Sequence, residues 1–202
     1  MFDDESVEKE LLFYRRDGAD DTTLWLVEAL KERGVEGKSL LDIGGGLGAI
    51  QHEILDDGAS HATHVDGSSA YIYGAKEEAE RRGFSEQIEW HHGDFVDIAG
   101  ELDPADMVTL DRVICCYDDM PSLVGKSVQL AEGFYGIVLP RDLWWARIGF
   151  SIMNFVQGIV GNPFRAFVHP MNQVEEIISK AGFEKVFARN SFFWQVALYA
   201  RS

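Results

Sequence analysis

Leu41-Asp42-Ile43-Gly44-Gly45-Gly46-Leu47-Gly48 is the first stretch of the chain whose residue types and spacing point to chemistry. Glycines between a strand and a helix let backbone N–H groups approach a ligand closely. Gly44, Gly46 and Ala49 also fit the dinucleotide pattern G-x-G-x-x-G/A. Asp42 argues against a pyrophosphate there, because a carboxylate two residues before Gly44 repels phosphate and suits a cation. Asp66 follows Gly44 at about the 20-residue spacing of an acid that accepts hydrogen bonds from ribose hydroxyls. Gly93-Asp94-Phe95 then offers an acid to an exocyclic amine and an aromatic ring to a purine face.

Candidates for moving a proton are fewer. His91 and His92 close a strand, and both fit ordinary loop histidines as well. His169 precedes Pro170, which suits the first position of a helix, so His169 is expected at the ligand edge of the sheet. Asp111, Arg112 and Tyr117 follow a strand end, while Asp118 and Asp119 mark a solvated helix start. Cys115 and Cys116 are adjacent, which gives neither metal-ligand spacing nor a disulfide framework. They read as buried small hydrophobes in a reducing, cytoplasmic setting.

Elements that would position these residues alternate along the chain. Helices are expected over residues 5–16 and from a Thr22 or Thr23 cap to Arg33, with Gly34 as the stop. Strands are expected at 39–43, 61–66, 87–91, 106–111 and 133–139, with helices at 50–55, 68–82 and 121–130 between them. A helix at 171–180 precedes two strands, 183–189 and 192–200, joined by a turn at Asn190-Ser191. That order predicts a doubly wound α/β fold: a mostly parallel seven-stranded sheet, helices on both faces, and an antiparallel C-terminal strand. Ligands in such sheets bind at the carboxyl ends of the strands.

The chain has 202 residues, a length that predicts one domain over 1–202, with N-terminal helices in 1–34. Acidic residues number 34 against 18 basic ones, a formal net charge of −16. Nucleic acid as a partner is disfavoured, since it needs a basic stripe, and so is docking on anionic lipid by charge alone. With 46% hydrophobic and 26% charged residues the chain is globular in composition. Its acidic start fits neither a signal nor a transit peptide.

The glycine motif, Asp66 and Gly93-Asp94-Phe95 together resemble the class I S-adenosylmethionine-dependent methyltransferases, over Ser39 to the C-terminus. A looser likeness is to small-molecule methyltransferases of the magnesium-protoporphyrin type. The resemblance implies S-adenosylmethionine as cofactor. Asp42, Gly44, Gly45, Gly46 and Gly48 would line its methionine and ribose parts. Asp66, with Gly67 and Ser68, would hold the ribose hydroxyls, and Gly93, Asp94 and Phe95 would flank the adenine. Asp111 and Arg112 would lie nearest the sulfonium and the acceptor, with Asp111 and His169 as catalytic candidates. Tyr14 would fold over the cofactor, and Arg15 or Arg16 would pair with its carboxylate. No metal is expected.

Residues 143–160 form an apolar run whose one charge is Arg147. The run reads as part of a cap, 141–169, over a small apolar or aromatic acceptor. A transmembrane segment is not expected, because Asn154 and Gln157 lie inside the run and Gly149, Gly158 and Gly161 weaken it. A core or dimer-interface helix and peripheral membrane contact remain open. So do an NAD(P)-dependent oxidoreductase, a non-catalytic S-adenosylmethionine-binding partner subunit, and methyl transfer to a macromolecule.

Overall fold

The computed structural model describes residues 4–159 and 166–202. Leu40, Leu41 and Ile43 are almost wholly buried in strand β1 (Ser39–Ile43). Continuous burial of this kind marks a strand covered on both faces. Six further strands join it: β2 His61–Asp66, β3 Ile88–His92, β4 Ala105–Asp111, β5 Ala131–Pro140, β6 Phe183–Asn190 and β7 Trp194–Arg201. Their order in the sheet is β3-β2-β1-β4-β5-β7-β6. The first five pair in parallel, and β7 runs antiparallel to both β5 and β6.

Eight helices connect the strands among the described residues: α1 Asp4–Asp17, α2 Asp21–Lys31, α3 Ala49–Asp56, α4 Ser69–Arg82, α5 Phe95–Ile98, α6 Met120–Gln129, α7 Trp144–Ile159 and α8 Met171–Lys180. One hydrophobic core gathers Leu26, Leu30, Ile54 and Ala79 with Met107 and Val138; it joins α2, α3 and α4 to one face of the sheet. A second gathers Phe95, Leu123, Val124, Val174 and Ile178 with Val108 and Tyr135; it joins α5, α6 and α8 to the other. The chain crosses between faces where β1 lies beside β4, and that switch opens a crevice at the carboxyl edge.

Two expectations change. Neither Thr22 nor Thr23 caps α2, because Asp20 takes the cap position and both threonines are buried inside the helix. Their hydroxyls are drawn toward the crevice instead: Thr22 Oγ1 accepts from Arg112, and Thr23 Oγ1 donates to Asp111. The strand after β6 begins at Trp194 rather than 192, since Ser191 closes the turn with bonds to and from the Trp194 backbone.

The expected cap contains α7. Its continuation through 160–165, with Gly161, lies outside the described residues, and so do the side chains of Trp145 and Arg147 and the surroundings of Gly158. Asn154 accepts from and donates to the Ala166 backbone, which fixes the chain leaving the cap. Among the described residues no helix is long and apolar enough to cross a membrane.

Candidate active site

A cleft of about 750 Å³ opens at the carboxyl edge of β1, β2 and β4. Its floor is the glycine loop. Gly44 has a φ of +63°, and an added Cβ there would stand 2.4 Å from Val113 Cγ2. At Gly45 the same atom would meet the His64 ring at 2.6 Å and Asp42 Oδ2 at 3.0 Å. The loop therefore rests directly on two buried polar side chains, and any larger residue would lift it.

Asp42 is 1% exposed and accepts from Thr109 Oγ1 at 2.7 Å. Burial pushes its carboxyl up to about 7 against that bond, with Asp111 and Asp66 adding to the rise. Asp66 accepts from the Gly46 N–H at 3.0 Å and from the Ser68 N–H at 2.7 Å. Burial outweighs both bonds and raises its carboxyl above the usual range. Asp111 accepts from Thr23 Oγ1 at 2.5 Å through Oδ2, while its buried Oδ1 has no hydrogen-bond partner. Burial raises this acid too, and the nearby Arg112 guanidinium opposes the rise.

Arg112 is the one non-glycine residue with positive φ, at 61°, among the described residues. Such strain persists where surrounding bonds over-determine the backbone. Here its N–H donates to the Val138 carbonyl, and its guanidinium donates to Asp20 at 2.5 Å and to Thr22 Oγ1. The guanidinium also lies 4.9 Å from the centre of the Trp194 ring.

One stripe of α1, formed by Glu10, Phe13, Tyr14 and Asp17, closes the cleft from above. Their i, i+3, i+4, i+7 spacing is a legible helix face, of which Tyr14 alone was expected over the cofactor. Tyr71, Thr23 and Cys116 complete the walls without an earlier signal. Buried Glu78 anchors α1, accepting from Arg15, Arg81 and Arg82. Burial alone would raise its carboxyl, but those three guanidiniums hold it at about 2.

Of the expected residues, the cleft gathers Tyr14, Asp42, Gly44, Gly45, Gly46, Asp66, Gly67, Asp111 and Arg112. Gly48, Ser68 and Gly93 stand behind it: Gly48 caps α3, Ser68 caps α4, and the Gly93 N–H donates to the Asp66 carbonyl. Phe95 is not available to cover a purine face, because α5 turns it into the core, 5% exposed. Asp94 caps α5, and both its oxygens accept from Tyr117 Oη, at 2.8 and 2.9 Å. His169 lies outside the cleft with Nε2 bonded to the Tyr117 carbonyl at 2.9 Å; that nitrogen must carry the proton and cannot take one. Arg15 and Arg16 are held by Glu77, Glu78 and Asp17, away from the carboxylate role expected of them.

Residues 40–130, which span the glycine loop, Asp66 and Asp111, match the family model described as "Methyltransferase domain". That segment, a little under half of the chain, is similar to methyltransferase domains. Solved structures of methyltransferases share the chain's fold. Magnesium protoporphyrin IX methyltransferase from Synechocystis PCC 6803, with bound S-adenosylhomocysteine, superimposes with a TM-score of 0.71 at 16% identity, over 90% of this chain and 81% of that one. An O-methyltransferase family protein from Burkholderia thailandensis gives 0.74 at 17% identity, over 99% of this chain but 60% of its own length. An O-methyltransferase family 2 protein from Planctomyces limnophilus, complexed with apigenin, gives 0.64 at 19% identity, covering 92% of this chain and 63% of that one. No curated protein matches the chain.

Proposed function

We propose that this methyltransferase domain passes the methyl group of S-adenosylmethionine to a small apolar or aromatic acceptor that enters beneath α7. The observation that carries the donor site is the charge of the cleft. Glu10, Asp17, Asp20, Asp42, Asp66 and Asp111 face it, and Arg112 is the cation opposite them. A surplus of carboxylates suits a sulfonium and an ammonium and repels a pyrophosphate, which disfavours a nicotinamide cofactor. The residues fit the donor: Asp66 keeps lone pairs for ribose hydroxyls beyond its two backbone bonds, and Asp111 Oδ1 accepts no hydrogen bond, with Arg112 Nε 3.6 Å away.

When bound, S-adenosylmethionine supplies a methyl already electrophilic on its sulfonium. The chain's own residues bind, orient and exclude water. Tyr14 and Phe13 roof the cleft from α1, and Leu47 and Val113 shield its walls. For the acceptor side, support comes from the aromatic surroundings of α7. Phe150 meets Phe193 edge-on at 5.8 Å, and Phe193 meets Trp194 at 5.0 Å, beside the Arg112 guanidinium. One neighbour is complexed with apigenin and another is named for a protoporphyrin substrate, both flat aromatic molecules, which agrees with such a surface. Proton transfer is not assigned to His169.

Calorimetric titration with S-adenosylmethionine, S-adenosylhomocysteine and NADH tests the donor site. Binding of the two adenosyl ligands alone is expected. Asp66→Ala should weaken that binding by about 1–3 kcal/mol, the cost of leaving buried donors unpaired; unchanged affinity would remove Asp66 from the site. A screen of small aromatic hydroxyl and amine acceptors with labelled donor, run beside a cell extract, tests the acceptor. Label confined to macromolecules would refute a small one.

A further inference from the structure

The two adjacent thiols are placed unlike the buried pair that their sequence suggested. Cys115 is buried, whereas Cys116 is exposed and lines the cleft. Both lie in a 3-10 turn, Ile114–Cys116, which Val113 links to the strained Arg112. Their sulfurs are 3.8 Å apart, and each S–H reaches the Arg112 carbonyl, Cys115 at 3.2 Å and Cys116 at 3.6 Å. The pair thus braces the turn that presents Asp111 and Arg112 to the cleft.

We propose that Cys115 and Cys116 form an oxidation site, at which hydrogen peroxide converts the dithiol to a vicinal disulfide and thereby weakens the cofactor cleft. The exposed sulfur reacts first. The Cys116 thiolate attacks peroxide, an S–O bond forms, the O–O bond breaks, and hydroxide leaves. The Cys115 sulfur then attacks the Cys116 sulfenic acid. An S–S bond forms, the S–O bond breaks, and the departing hydroxide takes the Cys115 proton as water. Two thiols and one peroxide give one disulfide and two waters.

Two further facts favour this order and its reversal. The contact between the two sulfurs holds the Cys116 thiol below its ordinary range, while that contact and burial push Cys115 up. Neighbouring Cα atoms stand about 3.8 Å apart across a trans peptide, closer than disulfides prefer, so the product is strained and thiols reduce it readily. Oxidation removes both S–H donors from the Arg112 carbonyl. The effect on binding rests on the donor site proposed above, whereas formation of the disulfide does not.

The test treats the full chain with stoichiometric hydrogen peroxide and digests it without reductant. The peptide carrying both cysteines is expected to lose two hydrogen masses, and dithiothreitol should restore it. Cys115→Ser should stop at a dimedone-reactive sulfenic acid on Cys116, and Cys116→Ser should not react on this timescale. Separate overoxidation of the two sulfurs without a disulfide, or first reaction at Cys115, would overturn the proposal. Oxidised chain should bind S-adenosylhomocysteine about tenfold more weakly than reduced chain, the scale of losing two ordinary hydrogen bonds. Equal affinity would overturn the regulatory half. Reduced chain that fails to bind the ligand at all would instead count against the donor site.

Discussion

The glycine-loop end of the cleft and the α7 end are built on opposite principles. At the carboxyl ends of β1 and β2 polar, directional contacts hold the loop: Asp66 on the Gly46 and Ser68 amides, Thr109 on Asp42, Gln51 on His64. Around α7 the contacts are aromatic and apolar, with Phe150, Phe193 and Trp194 in edge-on packing and Trp144 and Ile152 largely exposed. Hydrogen bonds fix position to fractions of an ångström, while apolar packing accepts any shape of suitable volume. One end suits a single invariant ligand, and the other suits a ligand whose identity can vary from one relative to the next.

Breaking the polar end should cost most. Gly44→Ala places a Cβ in the left-handed region and against Val113, and together these should cost about 4 kcal/mol of stability. Urea denaturation reads this directly, and a loss under about 1 kcal/mol would mean that the loop can move aside.

Glu78→Gln is next. It removes the buried carboxylate that Arg15, Arg81 and Arg82 share, leaving Arg15 with Glu77 and Arg82 with Glu53 and Asp56, and should cost about 3 kcal/mol. Its carboxyl is depressed, so its contribution is full above the ordinary glutamate range and is lost as the pH falls toward about 2. Acid unfolding of the variant should therefore lack this component, which a denaturation series against pH would reveal.

A pH titration sharpens the contrast further. Asp42 is raised to about 7, so the stability it contributes is present at low pH and lost as the pH rises through about 7. A cationic ligand favours its carboxylate, so binding should release a proton and strengthen about tenfold from about pH 6 to about pH 8. Calorimetry in buffers of different ionisation enthalpy would detect the proton. His52 and His64 act with the opposite sign. Burial holds them neutral, down to about 4 and about 3, and their contribution is lost as the pH falls below the ordinary histidine range.

The smallest effect belongs to the apolar end. Trp144→Ser should change stability by less than about 0.5 kcal/mol and leave donor affinity intact, while lowering turnover of the acceptor. An equal loss of donor affinity, seen by calorimetry, would remove the division between the two ends.

The polar end was also the legible one. A glycine loop after a buried strand, and an acid at the end of the next strand, are local facts of spacing, and Asp42, Gly44 to Gly46 and Asp66 all line the cleft. Residues whose role depends on how a short element turns were not legible. Phe95 sits one residue past an acid that caps a four-residue helix, and that turn buries it. Thr23 reads as a helix cap until Asp111, far along the chain, claims its hydroxyl. His169 lies outside the cleft, with its Nε2 turned to a backbone carbonyl. Alternating strands and helices gave the sheet class in advance, since that pattern admits few topologies.

The place of β7 has a consequence for synthesis. It is the last strand in chain order, yet it sits inside the sheet between β5 and β6. Until it has been made, the long edge of β5 from Phe134 to Pro140 stays unpaired. A nascent chain thus carries an open, apolar strand edge from the completion of β5 until β7 is made, the kind of edge that recruits neighbouring chains. Ribosome-bound or truncated forms ending before β7 should be the ones that chaperones hold and that aggregate when released.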